Sequence, residues 1–352
     1  MRREYGENIS ISIFGESHGD EIGVVIGGLP EGVCFDPEEL AAFMARRAPG
    51  AAADCVAEAV TTPRKEPDEV RFTAGVRDAG GGRLCIEGPE VRAEIVNQDH
   101  CAADYEELRT VLRPGHADLA VYLKEGAEGL RPGGGRFSGR MTAPMCIAGG
   151  ILMQLLAERG ITISAYYTEI GGKTSEEEIL CAIRRAREDQ DSLGGIVECI
   201  VRGFPAGVGG PLYEGLEGKI AGAVFAIPAV KGIEFGSGFA GSRYRGSRNN
   251  DTILLVDDPE GVPSGSCPLR TETNHAGGIN GGISNGMEIV FRAAFKPVPT
   301  IGAPQRTVDI SRMQEVELRA QGRHDLCVVS RAVPVVEAAA AIALYDALAG
   351  EP

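Results

Sequence analysis

One stretch, Arg113 to Arg140 (RPGHADLAVYLKEGAEGLRPGGGRFSGR), concentrates residues able to do chemistry. His116 sits in a Pro-Gly turn, where either ring nitrogen can face a bound molecule near neutral pH. Three consecutive glycines, Gly133 to Gly135, precede Arg136, Ser138 and Arg140. A glycine run lets backbone N–H groups approach an anion closely. Together these features suit a site that moves a proton while holding phosphate. Of the five histidines, four lie in glycine-containing turns: His18 in GESHG, His116 in RPGHAD, His275 in TNHAGG and His324 in GRHD. The repeated context favours His18 and His116 as proton-handling groups, whereas His100 reads as an ordinary loop residue. No histidine pair has the i, i+4 helical spacing of a zinc site, so no metal is expected.

Anion sites are suggested by arginines placed beside glycines rather than on helix faces: Arg46-Arg47, Arg131 to Arg140, Arg243 to Arg248, and Arg323 with Arg331, joined by Lys296. The planar guanidinium fork matches phosphate and carboxylate. Dedicated nucleotide motifs are missing. There is no G-x-x-x-x-G-K-[ST], no G-x-G-x-x-G opening a helix after the first strand, and no G-x-S-x-G around Ser17. The segment TNHAGGINGGISNG (residues 273–286) has too little side chain to pack a core and reads as a loop wrapping a ligand. Lys296-Pro297-Val298-Pro299-Thr300 is a stiff extended segment suited to lying along a flat ligand.

Composition bounds the setting. The 352 residues are 43% hydrophobic, enough for a large core. The net charge of -15 and the lack of tryptophan disfavour nucleic acid and anionic membrane as partners. No membrane span is read from the apolar runs, and the N-terminus has no apolar signal region. The nine cysteines show no C-x-x-C, which reads as inert thiols in a reducing, cytoplasmic compartment.

The elements that must position these groups follow from pattern. Residues 9–14 and 22–26 alternate as strands around the His18 turn. Asp36-Pro37-Glu38-Glu39 opens a helix that runs to Arg47. Strands at 70–76 and 83–87 flank Asp78-Ala79-Gly80-Gly81-Gly82 as a hairpin. Residues 144–158 and 334–348 are apolar nearly all round, which predicts helices buried between sheets. Ser175 to Asp189 predicts a surface helix, and 196–201 a strand. With no repeat, no linker and no regular βαβ rhythm, the expectation is one α+β domain spanning residues 1–352.

The ordered motifs GESHG, RRAPG (46–50), TPRKEPDEV (62–70), RPGHAD, GGGRFSGR, PAVKGIEFGSGF (228–239), TNHAGGINGGISNG, KPVPT and GRHDLCVVSRAVPVVEA (322–338) closely resemble chorismate synthase. The resemblance spans nearly the whole chain. It implies a β-α-β sandwich with helices between antiparallel sheets, and a homotetramer. The implied reaction is 1,4-anti elimination of phosphate from 5-enolpyruvylshikimate 3-phosphate, giving chorismate with the help of reduced FMN. By resemblance, His18 lies beside the departing phosphate or substrate and His116 beside the reduced flavin, Asp325 tunes the flavin N5 that takes up the substrate proton, and Ser17 and Ser138 support this proton network. Flavin contacts carry over to Arg136, Phe137, Ser138, Pro228, Ala229, Gly281, Lys296 through Thr300, and Arg323. Substrate anions fall to Arg46, Arg47, Arg140 and Arg331. Three positions depart from the family pattern: Ala53 in a region where an arginine is common, and Phe137 and Met141 beside the glycine triplet. NADPH is therefore expected only as an external or weak reductant. The departures leave a non-catalytic flavin- or phosphometabolite-binding paralogue as the alternative.

Overall fold

A computed structural model describes residues 4–48, 54–60, 68–97, 110–256, 268–320 and 325–351. Ala53, His100, Arg323 and His324 lie outside the described residues. In chain order, β1 (Glu4–Tyr5), β2 (Ser10–Gly15), β3 (Glu21–Gly27) and β4 (Cys34–Phe35) lead into helices α1 (Pro37–Arg47) and α2 (Cys55–Val60). Next come β5 (Arg71–Ala74), β6 (Val76–Gly80), β7 (Arg83–Ile86), β8 (Glu90–Val96), α3 (Asp118–Glu125) and the long α4 (Thr142–Ala157). The second half contains β9 (Thr162–Ile170), α5 (Glu176–Glu188), β10 (Gly195–Arg202), α6 (Leu216–Phe225) and β11 (Val230–Phe235). Two short turns of helix, α7 (Gly238–Gly241) and α8 (Gly246–Asn249), precede four short strands, β12 (Ile253–Leu255), β13 (Leu269–Thr271), β14 (Ile279–Asn280) and β15 (Ile283–Ser284). The chain continues through β16 (Ile289–Phe295), β17 (Gln305–Asp309), β18 (Gln314–Leu318) and α9 (Val329–Ala349).

Two antiparallel sheets enclose a helical layer. The first has strand order β1-β2-β3-β8-β5, the second β11-β16-β10-β9. Helix α4 packs on β3 and β8, α9 packs on β9 and β10, and the two helices pack on each other. This is the arrangement expected from helices with no polar face. Strand β16 shows why each sheet has an inner side: Ile289, Phe291, Ala293 and Phe295 are buried, while Val290, Arg292 and Ala294 between them are partly exposed. Each fully buried side chain of this size contributes about 1.5–3 kcal/mol. The helices approach closely because of small residues. A Cβ at Gly149 would lie 2.3 Å from the Cα of Ala338, in the alanine run Ala338 to Ala341.

Several expectations need correction. The stretch Gly139–Ala157, made of α4 and the turn before it, and helix α9 are each long and apolar enough to cross a membrane by length and composition, although no span was expected from the sequence; most of each is buried inside the fold. Helix α9 starts five residues before Pro334, the proline expected to open it. The strand expected at 70–76 is two strands: β5 joins β8 in the first sheet, and only β6 pairs with β7. The break falls at Gly75 (φ 79°), where a Cβ would meet the Glu90 carbonyl at 1.8 Å. Cysteines were expected to be unpaired, but Cys34 and Cys85, opposite each other on β4 and β7, form a disulfide. Cys55, Cys146, Cys181, Cys199 and Cys327 are free thiols.

The chain's N-terminal segment is fixed to α9. The buried Asp346 carboxylate accepts hydrogen bonds from the backbone N–H groups of Glu7, Asn8 and Ile9, at 2.8–3.1 Å. Buried Glu337, two and a half turns earlier on α9, accepts from both terminal nitrogens of Arg46 and from the Ala165 N–H.

Candidate active site

A cavity of about 670 Å³ opens beside the N-terminal half of α9. It is lined by the turn from Ile227 to Lys231, the extended segment after β16, the His116 turn, and Gly133, residues 136–140 and Thr142. Arg331, Ala332 and Val335 of α9 contribute the floor.

The His116 turn is braced from below. Arg113 is buried, and its Nε and Nη2 donate to the two oxygens of Asp118 at 2.7 and 2.8 Å. His116 Nδ1 lies 2.6 Å from Asp118 Oδ1. Burial alone would raise the Asp118 pKa, but the hydrogen bonds from His116 and Arg113, and their charge, hold it well below the usual carboxylate range. Arg113 Nη2 also lies 3.1 Å from Nδ1, but the anionic Asp118 oxygen is nearer and favours the tautomer with the proton on Nδ1, which leaves Nε2 to exchange a proton. The turn is tied to the segment after β16 as well: Lys296 Nζ donates to the Gly115 carbonyl. Burial, and then the charge of Lys231, lower the Lys296 pKa.

The glycine triplet has a role the sequence reading did not assign. Gly133, Gly134 and Gly135 all have positive φ (60°, 90° and 53°). A Cβ on Gly133 would lie 2.0 Å from His18 Cε1, and one on Gly134 would lie 2.7 Å from His116 Cε1. The bare faces of two successive glycines are thus taken by the two imidazoles, rather than serving only as an anion cradle. The triplet is the spacer that brings residues 18 and 116 to one place. His18 lies behind Gly133 and not on the cavity lining itself; its Nδ1 is 3.0 Å from Ser17 Oγ. The Ser17 N–H in turn donates to the Gly135 carbonyl at 3.4 Å.

Three of the four predicted substrate arginines meet here. Arg47, Arg140 and Arg331 line the cavity. Arg47 is buried, donates to Thr142 Oγ1 at 3.1 Å and pairs with Asp68 at 2.5 Å. Arg140 pairs with the same Asp68 carboxylate. Arg331 pairs with Asp325 at 2.9 Å and donates to the Arg47 carbonyl; its burial lowers its pKa. Arg46 is not brought in. Neighbours on a helix point about 100° apart, and Arg46 is engaged with Glu337 instead.

The predicted flavin contacts divide similarly. Arg136, Phe137, Ser138, Pro228, Ala229 and Lys296 line the cavity, as do Val298, Pro299 and Thr300. Pro297 lies in the same segment without lining it. Gly281 is elsewhere, at the tip of the β14–β15 hairpin, whose next residue, Gly282, packs against Gly210 and Gly215. The lining combines the apolar side chains of Ile227, Pro228, Val298 and Pro299 with the cations of Lys231, Lys296 and Arg136, a composition able to take an aromatic ring system that carries a phosphate. Sequence reasoning missed Asp68, Asn97, Arg113, Asp118 and Lys231. Asp118 had a signal, two residues after His116 in a turn; Asp68 lies in the motif TPRKEPDEV, but nothing local marks its role, since its partners are distant in sequence.

Two histidines packed on one glycine spacer thus lie close to a cavity lined by three ion-paired arginines, which places proton-exchanging groups and cations in one region of the fold. The chorismate synthase family model matches residues 9–349. A chorismate synthase from Dehalococcoides mccartyi is 40% identical, covering 98% of this chain and 96% of that protein. One from Thermococcus kodakarensis is 42% identical over 97% of this chain and 96% of the relative. A crystal structure of chorismate synthase, 25% identical, superposes with a TM-score of 0.70 over 98% of this chain and 92% of that one. The chain belongs to the chorismate synthase family. Its activity is the family's: a lyase reaction that releases phosphate from 5-enolpyruvylshikimate 3-phosphate and forms chorismate, in aromatic biosynthesis.

Proposed function

We propose that His18 and His116 move the protons of this elimination while Arg47, Arg140 and Arg331 hold the substrate's anionic groups. The observation that carries the proposal is the packing of both imidazoles on consecutive glycines, Gly133 and Gly134. His116 exchanges a proton at Nε2, with Asp118 holding Nδ1–H and stabilising the imidazolium. His18, steadied at Nδ1 by Ser17 Oγ, serves the departing phosphate. The C–O bond that breaks leaves a phosphate dianion, and positive charge beside it lowers the barrier. Asp325 orients Arg331 through its two oxygens. Ser138 Oγ accepts from the Arg140 N–H and so shapes the arginine's approach.

Reduced FMN is the proposed cofactor, held by Lys296 to Thr300, Pro228-Ala229 and Arg136 to Ser138; when bound, it supplies the electron-rich partner that eases loss of the leaving group. With Ala53 in place of an arginine, an outside reductant rather than the chain's own NADPH reaction supplies the reduced form. We read residues 1–352 as one domain acting in the cytoplasm as a homotetramer. The exposed Ile253, Leu255 and Leu269 of the β12–β13 pair support association.

The test is an anaerobic assay with dithionite-reduced FMN and the enolpyruvyl substrate, read by chorismate absorbance. His18→Ala and His116→Ala should each lower turnover by roughly 10²–10⁴-fold with flavin binding retained. Either variant turning over within threefold of wild type removes that histidine from the mechanism.

A further inference from the structure

Asp68 is buried, its side chain has no exposed surface, and it carries φ 49°, a left-handed conformation in which Asp and Asn are the best-tolerated side chains after glycine. Its two oxygens are divided between two cations: Oδ2 takes Arg47 Nη1 at 2.5 Å, and Oδ1 takes Arg140 Nη1. Both arginines line the cavity. Arg140 is braced on its other edge by Asn97, whose Oδ1 accepts from Nε at 3.3 Å. Asn97 Nδ2 in turn donates to the carbonyls of Glu16 and Gly19, at 3.3 and 2.8 Å, the residues that bracket Ser17 and His18. One continuous set of hydrogen bonds therefore links the arginine floor to the turn that carries His18.

We propose that Asp68 is a positioning residue for the elimination, setting both the geometry and the anion affinity of the Arg47–Arg140 pair. The proposal rests on the reading of these arginines as substrate-anion ligands. Two guanidiniums side by side repel unless an anion sits between them. Asp68 fills that place permanently, so the arginines are aligned before substrate arrives and less positioning is left to the binding step. The same carboxylate competes with any incoming anion for the two cations. Phosphate is therefore held with one negative charge already present, which favours its release after the C–O bond has broken. Asp68 touches neither reacting atom and acts only through Arg47 and Arg140.

The two effects have opposite signs, and this separates positioning from simple support of the fold. Asp68→Asn keeps the left-handed backbone and the side-chain shape and removes the charge. Turnover should fall by about 10²-fold, the scale of a misplaced substrate. Inorganic phosphate, used as a product inhibitor, should bind about tenfold more tightly because one unit of negative charge has gone from beside its site. Flavin affinity, measured by titration with oxidised FMN, should stay within twofold. Asp68→Glu keeps the charge and shifts the oxygens. It should lower turnover by more than tenfold while leaving phosphate inhibition within twofold of wild type, and it decides the matter if the Asn variant does not fold. Turnover within threefold of wild type in the folded variants, or phosphate inhibition in Asp68→Asn that is unchanged or weaker, overturns the proposal. Loss of turnover in the wild-type chain would instead strike the assignment of the arginines and histidines.

Discussion

Asp118→Asn is the sharpest probe of the histidine site. In the native protein Asp118 accepts from the Arg113 backbone N–H at 3.1 Å, from Arg113 Nε and Nη2 at 2.7 and 2.8 Å, and from His116 Nδ1 at 2.6 Å. The isosteric amide keeps one acceptor oxygen and turns an NH₂ group toward donors. It also leaves the buried Arg113 without its counter-charge. Removing one partner of a buried pair costs about 3–5 kcal/mol, so urea denaturation at pH 7 should show a loss of that order. The loss should depend on pH. Because the Asp118 pKa is depressed on folding, its contribution is complete above the unfolded carboxylate pKa and is lost as pH falls through the folded value. The stability gap between wild type and variant should therefore begin to narrow below about pH 4. Turnover should drop by roughly 10²–10⁴-fold with little change in KM, since His116 would no longer have its proton fixed on Nδ1. Turnover within threefold of wild type would refute the assignment of Asp118 as the group that orients His116, whatever the stability.

Gly133→Ala and Gly134→Ala should each reduce turnover by about 100-fold or more, because a methyl group at either position collides with an imidazole and the backbone is left-handed there. Activity near wild type in both variants would dismiss the spacer role. Asp346→Ala should destabilise the protein by about 1–3 kcal/mol in urea, since three backbone N–H groups, that of Ile9 fully buried, lose their common acceptor. Turnover per folded molecule should stay close to wild type, a split that an activity assay on the soluble fraction would detect.

How much was legible depended on whether a feature is local. Helices α4 and α9 could be read because burial on all sides leaves an apolar stretch with no polar face. Strands β2 and β3 could be read from their alternation, and His18 and His116 from their turns. The 70–76 strand misled because its residues alternate through Gly75, and only the close approach of Glu90 shows that the chain must turn there. TNHAGGINGGISNG reads as a ligand loop from its glycines; those of Gly281-Gly282 instead permit a tight hairpin against Gly210 and Gly215. Arg46 and Arg47 looked equivalent in sequence, but helical geometry sends one to Glu337 and the other to Asp68. The role of Asp68 was invisible, since its two partners lie 21 and 72 residues away.

The Asp346 clamp bears on the order in which the molecule can mature during synthesis. The strands of the first sheet and the His18 turn leave the ribosome early, yet the helix that closes the layer beneath them follows both sheets in the sequence. Until α9 is released, the inner faces of the sheets lack half of their cover, Glu7 to Ile9 lack their acceptor, and the cavity lacks its Arg331 floor. The arginine set of the cavity is complete only when that helix docks.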